Sequence, residues 1–272
     1  MTAFPVFDVH THVYPDELAP KATAGLHRFY GDLEIHGKGT FAELAAHSAA
    51  CGVRGFLLLA VATNAHQVPH VNDFAAKTVA AARRAGFLAA GFAGMHQDFP
   101  DPAGELERAV SLGLSGVKIH PDIQGVNLDD PRFFPLYAAL EEKGLPVCFH
   151  MGDNRAEYAF SRTERLLALT GRFPRLRVIA AHLGGYRAWE HMQALAACPN
   201  VWFDASSTMD FLSPEEEGRL IRALGVSRVM FGTDYPVRSV REELPRFLAL
   251  PGLTDEEKKA ILYDNAIGFL GL

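Results

Sequence analysis

Short apolar runs alternate with amphipathic stretches along the whole chain. The runs Val6–His12, Gly55–Val61, Leu88–Met95, Gly116–His120, Pro146–Met151, Arg177–His182, Val201–Ala205 and Arg228–Asp234 have the length and near-continuous hydrophobicity of buried parallel strands. The stretches between them carry helix start and stop signals. Thr40-Phe-Ala-Glu43 predicts a capping box, with Gly52 as the C-terminal stop of the helix it opens. Ser213-Pro214 followed by Glu215 and Glu216 predicts an N-cap, a proline in the first turn and acid near the positive end of the helix dipole. Thr254 opens the last major helix, and the final "NAIGFLGL" is expected as a short apolar tail.

Strand–helix alternation repeated in this way predicts an α/β fold, a (β/α)8 TIM barrel, closed by right-handed crossovers. An open doubly wound sheet would favour a glycine-rich first turn, whereas here the first strand runs into His-x-His. No linker, internal repeat or low-complexity tract interrupts the pattern, so residues 1–272 are expected to form a single domain. The segment from Tyr14 to Gly39 has no assigned element and is expected to overhang the barrel mouth as a lid or binding loop.

Composition narrows the partners. Of 272 residues 49% are hydrophobic, and the formal charge of -6 argues against nucleic acid or an anionic membrane as the main partner. No apolar run approaches the roughly 20 residues needed to span a bilayer. Cys51, Cys148 and Cys198 are widely spaced without a Cys-x-x-Cys, as expected for reduced thiols of a cytoplasmic protein. A small-molecule substrate is expected, and homo-oligomerisation is compatible with this composition.

The chemistry collects where the strands end. Alternate strand residues share a face, so His10 and His12 converge, as do Lys118 and His120 in "GVKIHP". The fifth strand ends at His150, the sixth at His182 and the eighth at Asp234. Unpaired polar groups in such apolar surroundings are costly. Imidazole and carboxylate ligands meeting at one rim account for them as a metal site, with Zn²⁺ expected first and Mn²⁺, Fe²⁺ or Co²⁺ as alternatives.

The motifs "DVHTH", "GVKIHP", "FHMG", "AHLGG", "FGTDYP" and "ILYDNAIGFL" resemble the amidohydrolase superfamily, in its amidohydrolase-2 (aminocarboxymuconate-semialdehyde decarboxylase-like) branch. The resemblance implies a metal-dependent barrel enzyme that hydrolyses amides, esters or lactones, or decarboxylates acidic rings. It implies His10, His12 and His150 as metal ligands, His182 as acid/base or second-metal residue, and Asp234 as ligand or proton shuttle. Lys-x-His-Pro on the fourth strand departs from the decarboxylase members. It resembles the carboxylated lysine of two-metal hydrolases, so hydrolysis is expected first and decarboxylation or hydration of an unsaturated acid is the alternative.

A divalent ion with an open position lowers the pKa of its bound water to about 7. Asp234 is then expected to take the proton as hydroxide attacks, with His182 polarising the carbonyl or holding the water. Lys118 and His120, with Arg155, Arg187 and Arg238 just past strand ends, are expected to hold substrate. Tyr14, Trp189 and Tyr235 are expected to wall the pocket or pack its rim. One ion is expected with Lys118 free, and two if Lys118 is carboxylated.

Overall fold

The computed structural model describes residues 4–31 and 33–272. Eight parallel strands follow one another around a single sheet in chain order. They are β1 (Val6–Thr11), β2 (Val53–Leu59), β3 (Leu88–Gly94), β4 (Val117–Ile119), β5 (Val147–Phe149), β6 (Val178–Ala180), β7 (Val201–Asp204) and β8 (Val229–Met230). Main-chain bonds from Val9 N to Phe231 O and from Asp234 N to His10 O, both 2.9 Å, bring the last strand back to the first. Buried Asp8 reinforces that seam, accepting from Thr233 N at 3.0 Å and Thr233 Oγ1 at 2.6 Å. The result is the expected α/β barrel.

The helices are α1 (Ala19–Tyr30), α2 (Phe41–Cys51), α3 (Val68–Arg84), α4 (Pro102–Ser111), α5 (Pro121–Gln124), α6 (Phe134–Lys143), α7 (Thr163–Arg172), α8 (Pro214–Leu224), α9 (Val240–Leu248), α10 (Asp255–Lys259) and α11 (Asn265–Leu270). Thr40 caps α2 through Glu43 N, and Gly52 ends it with a left-handed φ of 74°. Ser213 and Glu216 form the full capping box of α8, and Thr254 with Glu257 does the same for α10. The β6–β7 crossover departs from the repeat, holding only 3₁₀ turns at His182–Gly184 and Met192–Ala197.

Two apolar layers hold the molecule together. One lies between strands and helices and includes Leu44, Val79, Leu106, Leu136, Leu166, Ile221 and Phe247. The other fills the bore with Phe7, Val9, Leu57, Phe92, Cys148 and Ile179. Ala266 and Phe269 belong to this inner cluster, so the closing "NAIGFL" is helix α11 and not a tail. Arg177, which precedes β6, bonds the Phe269 carbonyl and so fixes α11 at the strands' N-terminal end. The opposite end is left for chemistry.

Candidate active site

The register of β1 against β2 slips between Asp8 and Thr11. Past that irregularity both histidine rings turn into the mouth, with His10 Nε2 and His12 Nε2 3.1 Å apart. Asp234 Oδ1 lies 3.4 Å from the first and 3.5 Å from the second. Gly232 gives β1 the space to pass, since a Cβ there would stand 2.9 Å from the His10 Cβ. His182 and Asp234 hold left-handed backbones, with φ of 60° and 59°. Side chains in that region cost energy and persist where the surroundings fix them.

Hydrogen bonds assign the ring tautomers, because carbonyl and carboxylate oxygens only accept. His12 Nδ1 donates to Leu59 O at 2.7 Å, and His10 Nδ1 donates to Asp204 Oδ2 at 3.0 Å. His182 Nδ1 donates to Ser206 O at 3.0 Å, and His150 Nε2 to Gly152 O at 3.1 Å. The neutral rings therefore turn bare lone pairs inward from His10 Nε2, His12 Nε2, His182 Nε2 and His150 Nδ1. The last two face each other at 3.0 Å. Lone pairs so close, joined by an ionised carboxylate, repel one another unless a cation or shared proton lies among them. The ligand atoms of His10, His12 and Asp234 lie within 4.8 Å of one another, a donor set that fits a divalent ion, while His150 pairs with His182 beside them.

The electrostatics agree. Burial, and then the Lys118 ammonium, push His10 down to about 4 against the pull of Asp204 and Asp234. Burial also holds His120 and His150 well below the usual imidazole range, and His182 below it. For Asp204 and Asp234 burial works upward, but the neighbouring histidines, His10 first, more than offset it and keep both carboxyls ionised.

Asp204 escaped the sequence reading. It ends β7, is fully buried, and accepts from Ser206 Oγ at 2.6 Å and from the amides of His182 and Ser206. A carboxylate behind a ligating histidine fixes its tautomer and orientation. Ser207 plays the same part for Asp234, donating to Oδ2 at 2.7 Å.

His10, His12, His150, His182 and Asp234 form one end of a cavity of about 550 Å³. Its other walls include Leu18, Leu26, Phe29 and Tyr30 of the α1 segment, with Val71 and Phe74 of α3. The overhang expected from Tyr14 to Gly39 thus contains the helix α1. Tyr14 lines the cavity, while Trp189 bonds the His182 carbonyl and Tyr235 reaches Glu43 of α2. Lys118 Nζ is buried in the floor, 3.3 Å from His10 Nε2 and 3.7 Å from Cys148 Sγ. His120 Nε2 meets Tyr30 Oη at 3.0 Å, and its ring stacks on His150 with centroids 4.0 Å apart.

The three arginines lie outside the cavity lining. Arg155 is paired with Asp153 at 2.7 Å and donates to the Phe29 carbonyl at 2.7 Å. Arg238 is held by Asp210 at 2.8 Å, and Arg187 stacks on Phe211. A position just past a strand end does not fix where a long side chain turns.

The chain belongs to the amidohydrolase family, whose model (Amidohydro_2) matches residues 7–272. The 2-amino-3-carboxymuconate-6-semialdehyde decarboxylase of Dictyostelium discoideum is 28% identical over 204 residues, 62% of this chain. The chain spans 56% of that relative's length in the match. The 5-carboxyvanillate decarboxylase of Sphingomonas paucimobilis superposes with a TM-score of 0.74 at 21% identity, covering 99% of this chain and 100% of that one. The 5-carboxyvanillate decarboxylase of Novosphingobium aromaticivorans was solved with manganese and 4-hydroxy-3-methoxy-5-nitrobenzoic acid. It superposes with a TM-score of 0.72 at 17% identity, covering 99% of this chain and 97% of that one. At these identities the two structures share the fold. No membrane-spanning helix occurs among the described residues.

Proposed function

We propose that this chain is a divalent-metal-dependent decarboxylase of an aromatic or otherwise unsaturated carboxylic acid. The observation that carries the reading is the convergence of bare His10 and His12 nitrogens with Asp234 at the polar end of a largely apolar cavity. A planar acid fits such a space with its carboxylate toward the polar end. Decarboxylation, the alternative at the sequence level, now outranks hydrolysis, because the three relatives described above are named as decarboxylases.

His10, His12, His150 and Asp234 would hold one ion, and His182 stays free for proton transfer. When bound, the ion acts as a Lewis acid that stabilises negative charge developing on the substrate. The imidazole-rich donor set suits zinc, and the manganese of the Novosphingobium enzyme gives a second metal to test. Lys118, beside His10, offers its ammonium to the carboxylate before departure. Loss of CO₂ leaves an electron pair on the ring or alkene carbon, and that carbon must gain a proton. His182, its ring anchored by the Nδ1–H bond to Ser206 O, would first take a proton from water on its bare Nε2 and then deliver it to that carbon. The α1 segment covers this chemistry from above.

The test is CO₂ release from a panel of hydroxylated benzoates and carboxymuconate-type acids, before and after chelation. Release that stops on chelation and returns with manganese or zinc is expected. Water addition to lactones, esters or amides without CO₂ release would restore the hydrolytic reading.

A further inference from the structure

The cavity has a second polar point, on its lid side. His120 is the N-cap of α5, where its Nδ1 accepts from Ile123 N at 3.3 Å. A nitrogen that accepts an amide hydrogen carries no proton of its own. The His120 proton therefore sits on Nε2, 3.0 Å from Tyr30 Oη, and His120 is the donor in that bond. The Tyr30 oxygen accepts, so its own hydroxyl hydrogen remains to be given. No acceptor for it occurs among the described residues, and both Tyr30 and His120 line the cavity.

Tyr30 is also held in place independently of His120. It is the last residue of α1, and Arg155 donates to the carbonyl of Phe29 just before it. The guanidinium lies 5.0 Å above the Phe29 ring and 4.1 Å above Tyr158. The Tyr30 ring packs 5.5 Å from Tyr186 and 6.3 Å from His150. A phenol so fixed is a preorganised donor, whose use costs little ordering entropy.

We infer that Tyr30 and His120 form a specificity subsite that donates one hydrogen bond to a second oxygen of the substrate, apart from the carboxylate. The preferred ligands are carboxylic acids bearing a hydroxyl, methoxy or oxo group elsewhere on the skeleton. This rests on the cavity being the acid-binding site, and it deepens that reading by naming what distinguishes one acid from another. A site built around a donor rejects an analogue without the acceptor, because the donor is left buried and unpaired.

The experiment measures binding by calorimetry, on the protein as purified, for three isosteric pairs: 2-, 3- and 4-methoxybenzoate against 2-, 3- and 4-ethylbenzoate. Each pair differs in one acceptor oxygen and keeps the shape. Wild type is expected to prefer the methoxy member of at least one pair by about five- to tenfold, the scale of one hydrogen bond. Tyr30→Phe, which keeps the ring packing, is expected to abolish that preference and leave ethylbenzoate affinity unchanged. A wild type that discriminates no pair, or a Tyr30→Phe protein that keeps the preference, overturns the subsite. CO₂ release is scored separately on the same preparations. Its absence alongside an intact Tyr30-dependent preference would sink the decarboxylase reading and spare the subsite.

Discussion

Two buried polar clusters lie on either side of one short loop, Ser207–Thr208, and they behave oppositely. Ser207 faces the barrel mouth and donates to Asp234 at 2.7 Å, while Thr208 faces away and contacts Glu217 of α8 at 2.9 Å. In the mouth, Asp204 and Asp234 stay ionised below the usual carboxylate range although both are buried. Under α8 and α9, burial pushes Glu217 up to about 8 and Glu243 to about 7. Burial favours the neutral acid in both places, and it loses only where imidazoles crowd around the carboxylate. What marks the mouth as chemical is therefore not burial. It is the retention of charge together with inward-facing imidazole lone pairs, among which Lys118 reaches only that of His10.

The largest effect should come from removing those lone pairs. The double substitution His10→Ala/His12→Ala is expected to fold, to lose bound metal by elemental analysis, and to release no detectable CO₂. If it kept its metal, the mouth would be a structural cluster like the one beneath α8, and the contrast would collapse. His182→Asn comes next. It should retain metal and lose about 10²-fold or more in turnover, the scale of a missing general acid. Near wild-type turnover with full metal would remove His182 from proton transfer.

The two regions were unequally legible in the sequence. The eight strands were visible because near-continuous apolar runs bounded by helical caps leave few alternatives, and each predicted range overlaps its observed strand. The histidines stood out because each interrupts such a run. Asp204 closes a strand in the same way, in "VWFDASS", yet an aspartate there looks like any loop acid. Its bond to His10 joins positions 194 residues apart, which no local pattern encodes. The hydroxyl of Tyr30 was hidden for another reason. Its role depends on which nitrogen of His120 bears the proton, and Ile123 N settles that only in three dimensions. For Arg155 a local clue existed, since Asp153 two residues earlier offers a ready partner. That pair turns the guanidinium toward α1, so Arg155 holds the lid.

The smallest effect on activity, and the sharpest on stability, is expected at Glu217. Thr208 has one hydroxyl hydrogen, yet its oxygen lies 3.0 Å from Ala205 O and 2.9 Å from Glu217 Oε1. Both contacts are satisfied if Glu217 keeps its proton, donates to Thr208, and lets Thr208 donate to Ala205. Unfolding exposes the carboxyl and returns it from about 8 to its ordinary 4.5. Between these values the native state holds a proton that the unfolded state has released, so stability falls as pH rises through that window. The limiting slope is about 1.4 kcal/mol per pH unit. Glu217→Gln keeps the shape and a donor toward Thr208 and removes the titration. Denaturant melts at pH 5 and pH 8 should show the variant gaining on wild type as pH rises, by up to a few kcal/mol on that slope, with CO₂ release unchanged. Parallel stability curves for the two proteins would mean that Glu217 is ionised in the fold, and that the two clusters differ less than their surroundings suggest.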